Sequence, residues 1–350
     1  MLPTHPMSKP QILVLTCALT GCGDDSATPA DSSPSSPTTT TASGSAGSET
    51  SANTDSDPDS SGPGVDPGEI QEIQIEVDAF VFDARAAGPE DGQLVILLHG
   101  FPQTSYEWRH QLTALGQAGY RAVAPDQRGY SPGARPEDTA DYAYALLIDD
   151  VLDIADELAA DSFHLVGHDW GAAVAWGVAA RSPERVTSLA AVSVPHIDAF
   201  NAQLTDMESC QYEASAYFEF FASTDSTAAL LADDAAALRG IYEDIEPEAI
   251  EQYVGQLGTA PALDAALNWY RANVDGRLLH GDPIGPITVP TMFIWSDGDV
   301  AICREGADAT ADFVTGPYRF EVLEGIGHWV PELASETVSM WLLENVQSAQ

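Results

Sequence analysis

Positive charge is nearly missing from this chain. Of 350 residues, 13 are Lys or Arg and 54 are Asp or Glu, for a formal net charge of −41. Lys9 is the only lysine. A surface this acidic repels phosphate backbones and anionic headgroups, which excludes nucleic acid and electrostatically held membranes as partners. Long apolar runs are missing too: no segment reaches the ~18–20 apolar residues of a spanning helix. Cysteine occurs at four positions, with no cysteine cluster and no H-E-x-x-H. His110, His164, His196 and His280 show no ligand spacing, so no metal and no cofactor are expected. There is no internal repeat.

What is present suffices for a core, since 44% of the residues are hydrophobic. The length allows one large domain or two small ones. The acid is spread unevenly. Gly23 to Glu69 carries seven Asp, two Glu and no cation. Residues 70–350 carry a net −33, which must coat the surface because so many carboxylates cannot be buried.

Ile12 to Leu19 is a short apolar run with the length of a signal-peptide h-region. Leu19-Thr20-Gly21-Cys22 follows it and resembles a bacterial lipobox, although the stretch before the run is only weakly basic. That resemblance implies a signal peptide over residues 1–21 and a lipid on Cys22. Localisation would then be exported, periplasmic or cell-surface, with membrane contact only through the lipid anchor. Residues 22–69 are rich in Ser, Thr, Pro and Asp and have almost no large apolar side chain. They cannot bury enough surface to offset ordering entropy and read as a disordered linker. Cys17 leaves with the signal; Cys210 and Cys303 remain in the body. An exported pair can bridge, but whether these two lie within reach stays open at the level of sequence, as does the oligomeric state.

From residue 70 the pattern alternates. Two edge strands fit Gln71 to Ala86. Leu94 to Leu98, Arg121 to Ala124, Phe163 to Val166, Val186 to Val194, Thr291 to Trp295 and Tyr318 to Leu323 read as strands, several of them continuously apolar and so buried on both faces. Helical stretches fit Ser105 to Gly119, Asp141 to Leu158, Trp170 to Arg181 and Glu332 to Asn345. This is an α/β class with a mostly parallel sheet covered on both faces. Residues 196–287 break the alternation, with helical patterns such as Thr227 to Ile241 and Pro247 to Leu257 and no convincing strand. They read as a helical lid inserted between core segments 70–195 and 288–350, over the carboxyl edge where open α/β sheets bind ligands.

Gly167-His168-Asp169-Trp170-Gly171 lies between a buried strand and a helix and has the spacing of a nucleophile elbow. The turn is sharp, so its flanks must be small. With this elbow, His99-Gly100-Phe101-Pro102, Arg128-Gly129-Tyr130, Ser296-Asp297-Gly298-Asp299 and Gly327-His328-Trp329, the chain resembles the α/β-hydrolase superfamily. The match covers Ile70 to about Val346 and points to the branch of epoxide hydrolases and haloalkane dehalogenases. Asp169 in place of serine is decisive. A carboxylate attacking an ester gives an anhydride, whereas attack on a strained or activated sp³ carbon gives an ordinary ester that water can release.

The resemblance implies the other roles. His328 would be the base for that water. Asp299 would orient the imidazole, Asp198 is a second candidate because some relatives place the acid after the preceding strand, and Asp297 would shape the turn. The backbone N–H groups of Trp170 and Phe101 would form the oxyanion hole; in the family Pro102 follows a cis bond. His99 would serve loop structure, and His168 would be the variable residue of the elbow. Ser215-Ala216-Tyr217-Phe218 and Leu267-Asn268-Trp269-Tyr270-Arg271 resemble the lid segments whose two tyrosines hold an epoxide oxygen, which makes the expected substrate a small hydrophobic epoxide. Two alternatives stand beside this. A haloalkane dehalogenase would need a second halide donor, for which Trp269 is the candidate because Phe101 occupies the usual Asn position. A catalytically inactive cell-surface binding protein would keep the fold without turnover.

Overall fold

The computed structural model describes residues 66–349 except 276, 277 and 280. The expected signal, Cys22, His280 and all but the last residues of the expected linker lie outside the described residues.

Eight strands form the main sheet: β1 (Gln71–Val77), β2 (Phe80–Ala87), β3 (Leu94–Leu98), β4 (Arg121–Pro125), β5 (Phe163–His168), β6 (Val186–Val192), β9 (Thr291–Ser296) and β10 (Tyr318–Leu323). Their order is β1-β2-β4-β3-β5-β6-β9-β10. β2 runs antiparallel to both neighbours, and every other pairing is parallel. Every residue of β3, β5 and β9 is buried, as their continuous apolar runs require. Successive residues of β3 feed opposite faces. Leu94, Ile96 and Leu98 pack with the helices Tyr144–Glu157 and Trp170–Arg181. Val95 and Leu97 pack with Arg109–Gln117 and Ser335–Ser348. Burying each such side chain stabilises the fold by about 1.5–3 kcal/mol. The helix Trp170–Arg181 is built from small and apolar residues and is buried nearly all round, as its place against β5 demands.

Element edges depart from the sequence expectation where a polar residue caps a turn. The helix expected from Ser105 begins as a 3-10 turn, with the Thr104 side chain accepting from the Tyr106 N–H, and becomes α-helical only at Arg109. β6 ends at Val192, two residues early, because the chain turns at Ser193 with φ +69°.

The lid carries helices Ile197–Leu204, Cys210–Ala214, Tyr217–Phe221, Ser226–Arg239, Pro247–Leu257 and Ala260–Asn273. The expectation of no strand needs correction: β7 (Val274–Asp275) and β8 (Leu278–Leu279) form a two-residue antiparallel pair. Two residues are too few for an alternating pattern to register. The helix over Ser226–Arg239 is also not continuous. Asp233, Asp234 and Ala235 sit at φ +50°, +59° and +58°, a region in which Asp is enriched. Cys210 and Cys303 form a disulfide, with Cα atoms 6.1 Å apart, that joins the lid to the loop after β9. Among the described residues no helix is long and apolar enough to cross a membrane.

Candidate active site

β5 delivers the chain to the carboxyl edge of the sheet, and the next helix starts at Trp170. Asp169 makes the turn alone, at φ +50° and ψ −121°, a conformation that costs about 1–3 kcal/mol and persists only where its surroundings hold it. The flanking glycines are sterically required. A Cβ on Gly167 would lie 2.2 Å from the Gly171 carbonyl oxygen, and one on Gly171 would lie 2.1 Å from that of Leu98.

The Asp169 carboxylate is buried. Oδ1 accepts the Phe101 N–H at 2.8 Å, and the Trp170 N–H is a further donor to this side chain. The Phe101–Pro102 peptide is cis. His328 Nε2 stands 3.5 Å from Asp169 Oδ2, and Nδ1 donates to Asp299 Oδ2 at 2.9 Å. Burial alone would raise both carboxyl pKa values and lower that of the imidazole. The mutual charges reverse this: Asp169 and Asp299 are held below the ordinary carboxylate value. His328 is raised to about 10, with Asp299 the larger contributor and Asp169 the second.

Asp299 is fixed on every side. Its Oδ1 accepts the N–H groups of Ala301 at 2.9 Å and Ile302 at 3.2 Å. Its Oδ2 also accepts the Ser193 hydroxyl at 2.7 Å. Asp198 is engaged elsewhere, accepting the N–H groups of Ile284 at 3.1 Å and Gly285 at 3.0 Å. Asp297 closes its turn by accepting the Gly325 N–H at 2.6 Å. His99 Nε2 accepts the Gln127 N–H at 3.2 Å and its Nδ1 faces the Gly100 carbonyl at 3.0 Å, so it is a loop residue.

Tyr217 and Tyr270 come from separate lid helices, and their rings lie 6.5 Å apart. Both line a cavity of about 250 Å³ together with Asp169, His328, Phe101 and Trp329. Burial raises both phenol pKa values well above 10, and the Asp169 charge adds to this in each case. Trp269 is turned away: its indole N–H donates to the Arg128 carbonyl at 2.7 Å.

Sequence reading missed three features. Ser193 is a polar residue just past the apolar run of β6, and that position at the carboxyl edge was the available signal. Glu332, four residues after His328, accepts from Gln103 at 2.7 Å and from Arg109 at 2.7 Å, and also from the lid hydroxyl of Tyr253. His168, expected only as the variable residue of the elbow, is fully buried against Glu107, a contact between distant segments that the local motif does not show.

Residues 93–334 match the model of the alpha/beta hydrolase fold family. The AB hydrolase superfamily protein YfhM of Bacillus subtilis is 32% identical over 281 residues, covering 78% of this chain and 97% of that one. Epoxide hydrolase A of Mycobacterium tuberculosis is 32% identical over 295 residues, covering 74% and 91%. Among solved structures, an epoxide hydrolase from hot-environment metagenomes superposes with TM-score 0.71 at 29% identity, covering 79% of this chain and 98% of its own. The epoxide hydrolase VrEH1 of Vigna radiata gives TM-score 0.69 at 27% identity, covering 80% and 99%. This chain belongs to the alpha/beta hydrolase family and has epoxide hydrolases among its homologues.

Proposed function

We propose that this protein hydrolyses a small hydrophobic epoxide to a vicinal diol through a covalent ester on Asp169. The observation that carries the reading is a carboxylate at the elbow sharing one cavity with two lid tyrosines. In the first step Asp169 Oδ2 attacks an epoxide carbon and the carbon–oxygen bond breaks. The departing oxygen takes a proton from the tyrosine pair, whose raised pKa values keep both phenols protonated before attack. Ester formation neutralises Asp169. His328 then loses one of the two charges that hold its pKa at about 10, and it can return a proton to the tyrosine. Neutral Nε2 next accepts a proton from the water that attacks the Asp169 carbonyl carbon. The N–H groups of Phe101 and Trp170 receive the oxyanion, and one such donor is typically worth ~3–4 kcal/mol. Collapse releases the diol and restores the carboxylate–imidazolium pair, so the proton inventory closes within the site.

The halide reading has less support. Its second donor would have been the Trp269 indole, which is already bound to the Arg128 carbonyl. A panel of epoxides and haloalkanes, scored by diol and halide release, tests the choice; halide release without diol would replace the substrate class. Single turnover in ¹⁸O water tests the covalent route, because label must enter Asp169. A binding protein would incorporate none.

We also propose that the mature chain is exported and lipidated on Cys22. The Cys210–Cys303 bridge supports an oxidising compartment. Palmitate labelling of the wild type and of Cys22→Ser tests the anchor; equal label in both would refute it.

A further inference from the structure

Glu107 and His168 are both completely buried, and neither is used by the chemistry above. His168 Nε2 donates to the backbone carbonyl of His328 at 3.0 Å. A carbonyl only accepts, so this nitrogen carries a proton. The other nitrogen, Nδ1, lies 2.9 Å from Glu107 Oε1 in a close contact that is not an in-line hydrogen bond. Glu107 Oε2 accepts the Gly100 N–H at 3.3 Å, and Gly100 immediately precedes the donor residue Phe101. The two imidazole rings, of His168 and His328, lie 5.0 Å apart. This one pair therefore touches three loops: the loop of the Phe101 donor, the elbow next to Asp169, and the loop of the base.

We infer that Glu107 and His168 form a positioning pair that sets the base loop and the oxyanion loop against the elbow. The inference rests on the proposed ester mechanism. Asp299 holds the His328 ring from its side chain, whereas His168 holds the same residue from its backbone. A ring fixed at only one of these points can tilt while keeping its hydrogen bond to Asp299. Both steps use the Phe101 N–H, which holds Asp169 Oδ1 before attack, but ester hydrolysis also needs it to carry the oxyanion and needs the base, whereas alkylation relies on Asp169 and the tyrosines. The pair should therefore serve the second step more than the first.

The test is single-turnover kinetics on a reactive epoxide, with acid quench and mass detection of the ester on Asp169. The variants are Glu107→Gln, Glu107→Ala, His168→Gln and His168→Leu, each checked for folding by thermal melt. Glu107→Gln keeps an acceptor for Gly100, and His168→Gln keeps an N–H for the His328 carbonyl. The expected result is that His168→Leu and Glu107→Ala slow ester decay at least about tenfold, since small misplacements of reacting groups carry costs of that order or more. Ester formation should stay within about threefold, so the ester accumulates and kcat and KM fall together. The Gln variants should recover part of the loss. Folded variants that slow both steps equally, or neither, would overturn the inference. Wild-type enzyme that forms no ester on Asp169 with any epoxide would overturn the parent mechanism and the pair's role with it. Should the Ala and Leu variants fail to fold, the two Gln variants decide alone: an unchanged ratio of the two rate constants in both refutes the pair.

Discussion

Exchanging Asp169 for Asn replaces one oxygen by an amide nitrogen and removes both the nucleophile and the charge facing His328. Turnover should vanish while the fold survives, and persistent diol formation would refute the assignment. The same variant mimics the neutral ester. His328 should therefore titrate below about 10 in Asp169→Asn, as ring NMR can show; an unchanged value would mean that Asp169 does not support the imidazolium. The stability effect has a definite sign. A histidine pKa raised on folding stabilises fully below about 6.5 and loses that contribution as pH rises through about 10. Tyr270→Phe should slow epoxide opening by about 10²-fold or more and leave ester hydrolysis unchanged. Equal rates of opening would shift weight toward a halide substrate. The Phe101 bond to Oδ1 at 2.8 Å leaves Oδ2 free to attack. Oδ2 departs with the diol, and the oxygen of water takes its place. An enzyme preloaded in ¹⁸O water should thus hand its label to the first diol made in ordinary water. Release of half the label would mean that the carboxylate flips between turnovers.

At the scale of elements, the bridge between Cys210 and Cys303 does more than close a loop. Gln211, beside Cys210, accepts the Cys303 N–H at 2.9 Å and donates to the Ala301 carbonyl at 2.7 Å. Ala301 is also a donor to Asp299. The lid helix that leads to Tyr217 is thereby tied to the segment that holds the acid. Cys210→Ser with Cys303→Ser should lower unfolding stability by about 2–4 kcal/mol, and wild type in reductant should lose the same amount. Identical denaturant midpoints would show that the bridge does not form in solution. The strands of the main sheet and its mostly parallel character were readable because buried parallel strands are continuously apolar and alternate with helical stretches; the strand order was not. Asp169, Asp299 and His328 were readable because each sits in a short local motif. Ser193 was not, since its partner lies 106 residues away. The Cys210–Cys303 contact and the meeting of Glu107 with His168 were equally hidden, because packing rather than pattern brings them together.

For the molecule as a whole, the excess acid concerns the medium more than the chemistry. Residues 70–350 carry −33, and self-repulsion of that size destabilises the compact state unless salt screens it. Unfolding midpoints should rise between about 0.1 and 1 M salt, as the screening length falls from ~10 Å to ~3 Å. Equal midpoints would count against that view. The same acid reaches the cavity, where Glu213, Glu243 and Asp244 join the lining and, among the described residues, no Arg or Lys does. A carboxylate-bearing epoxide should show a higher KM than its neutral isostere, with the gap narrowing in salt; a gap that salt leaves unchanged would mean these exposed groups do not act on the substrate. The bridge also imposes a schedule on biogenesis. If the chain is exported as proposed, Cys210 leaves the cytosol 93 residues ahead of its partner. Oxidation must then wait until β9 and the acid that follows it have crossed. A molecule arrested midway would display a lone thiol on its lid, available to any oxidant or thiol carrier outside.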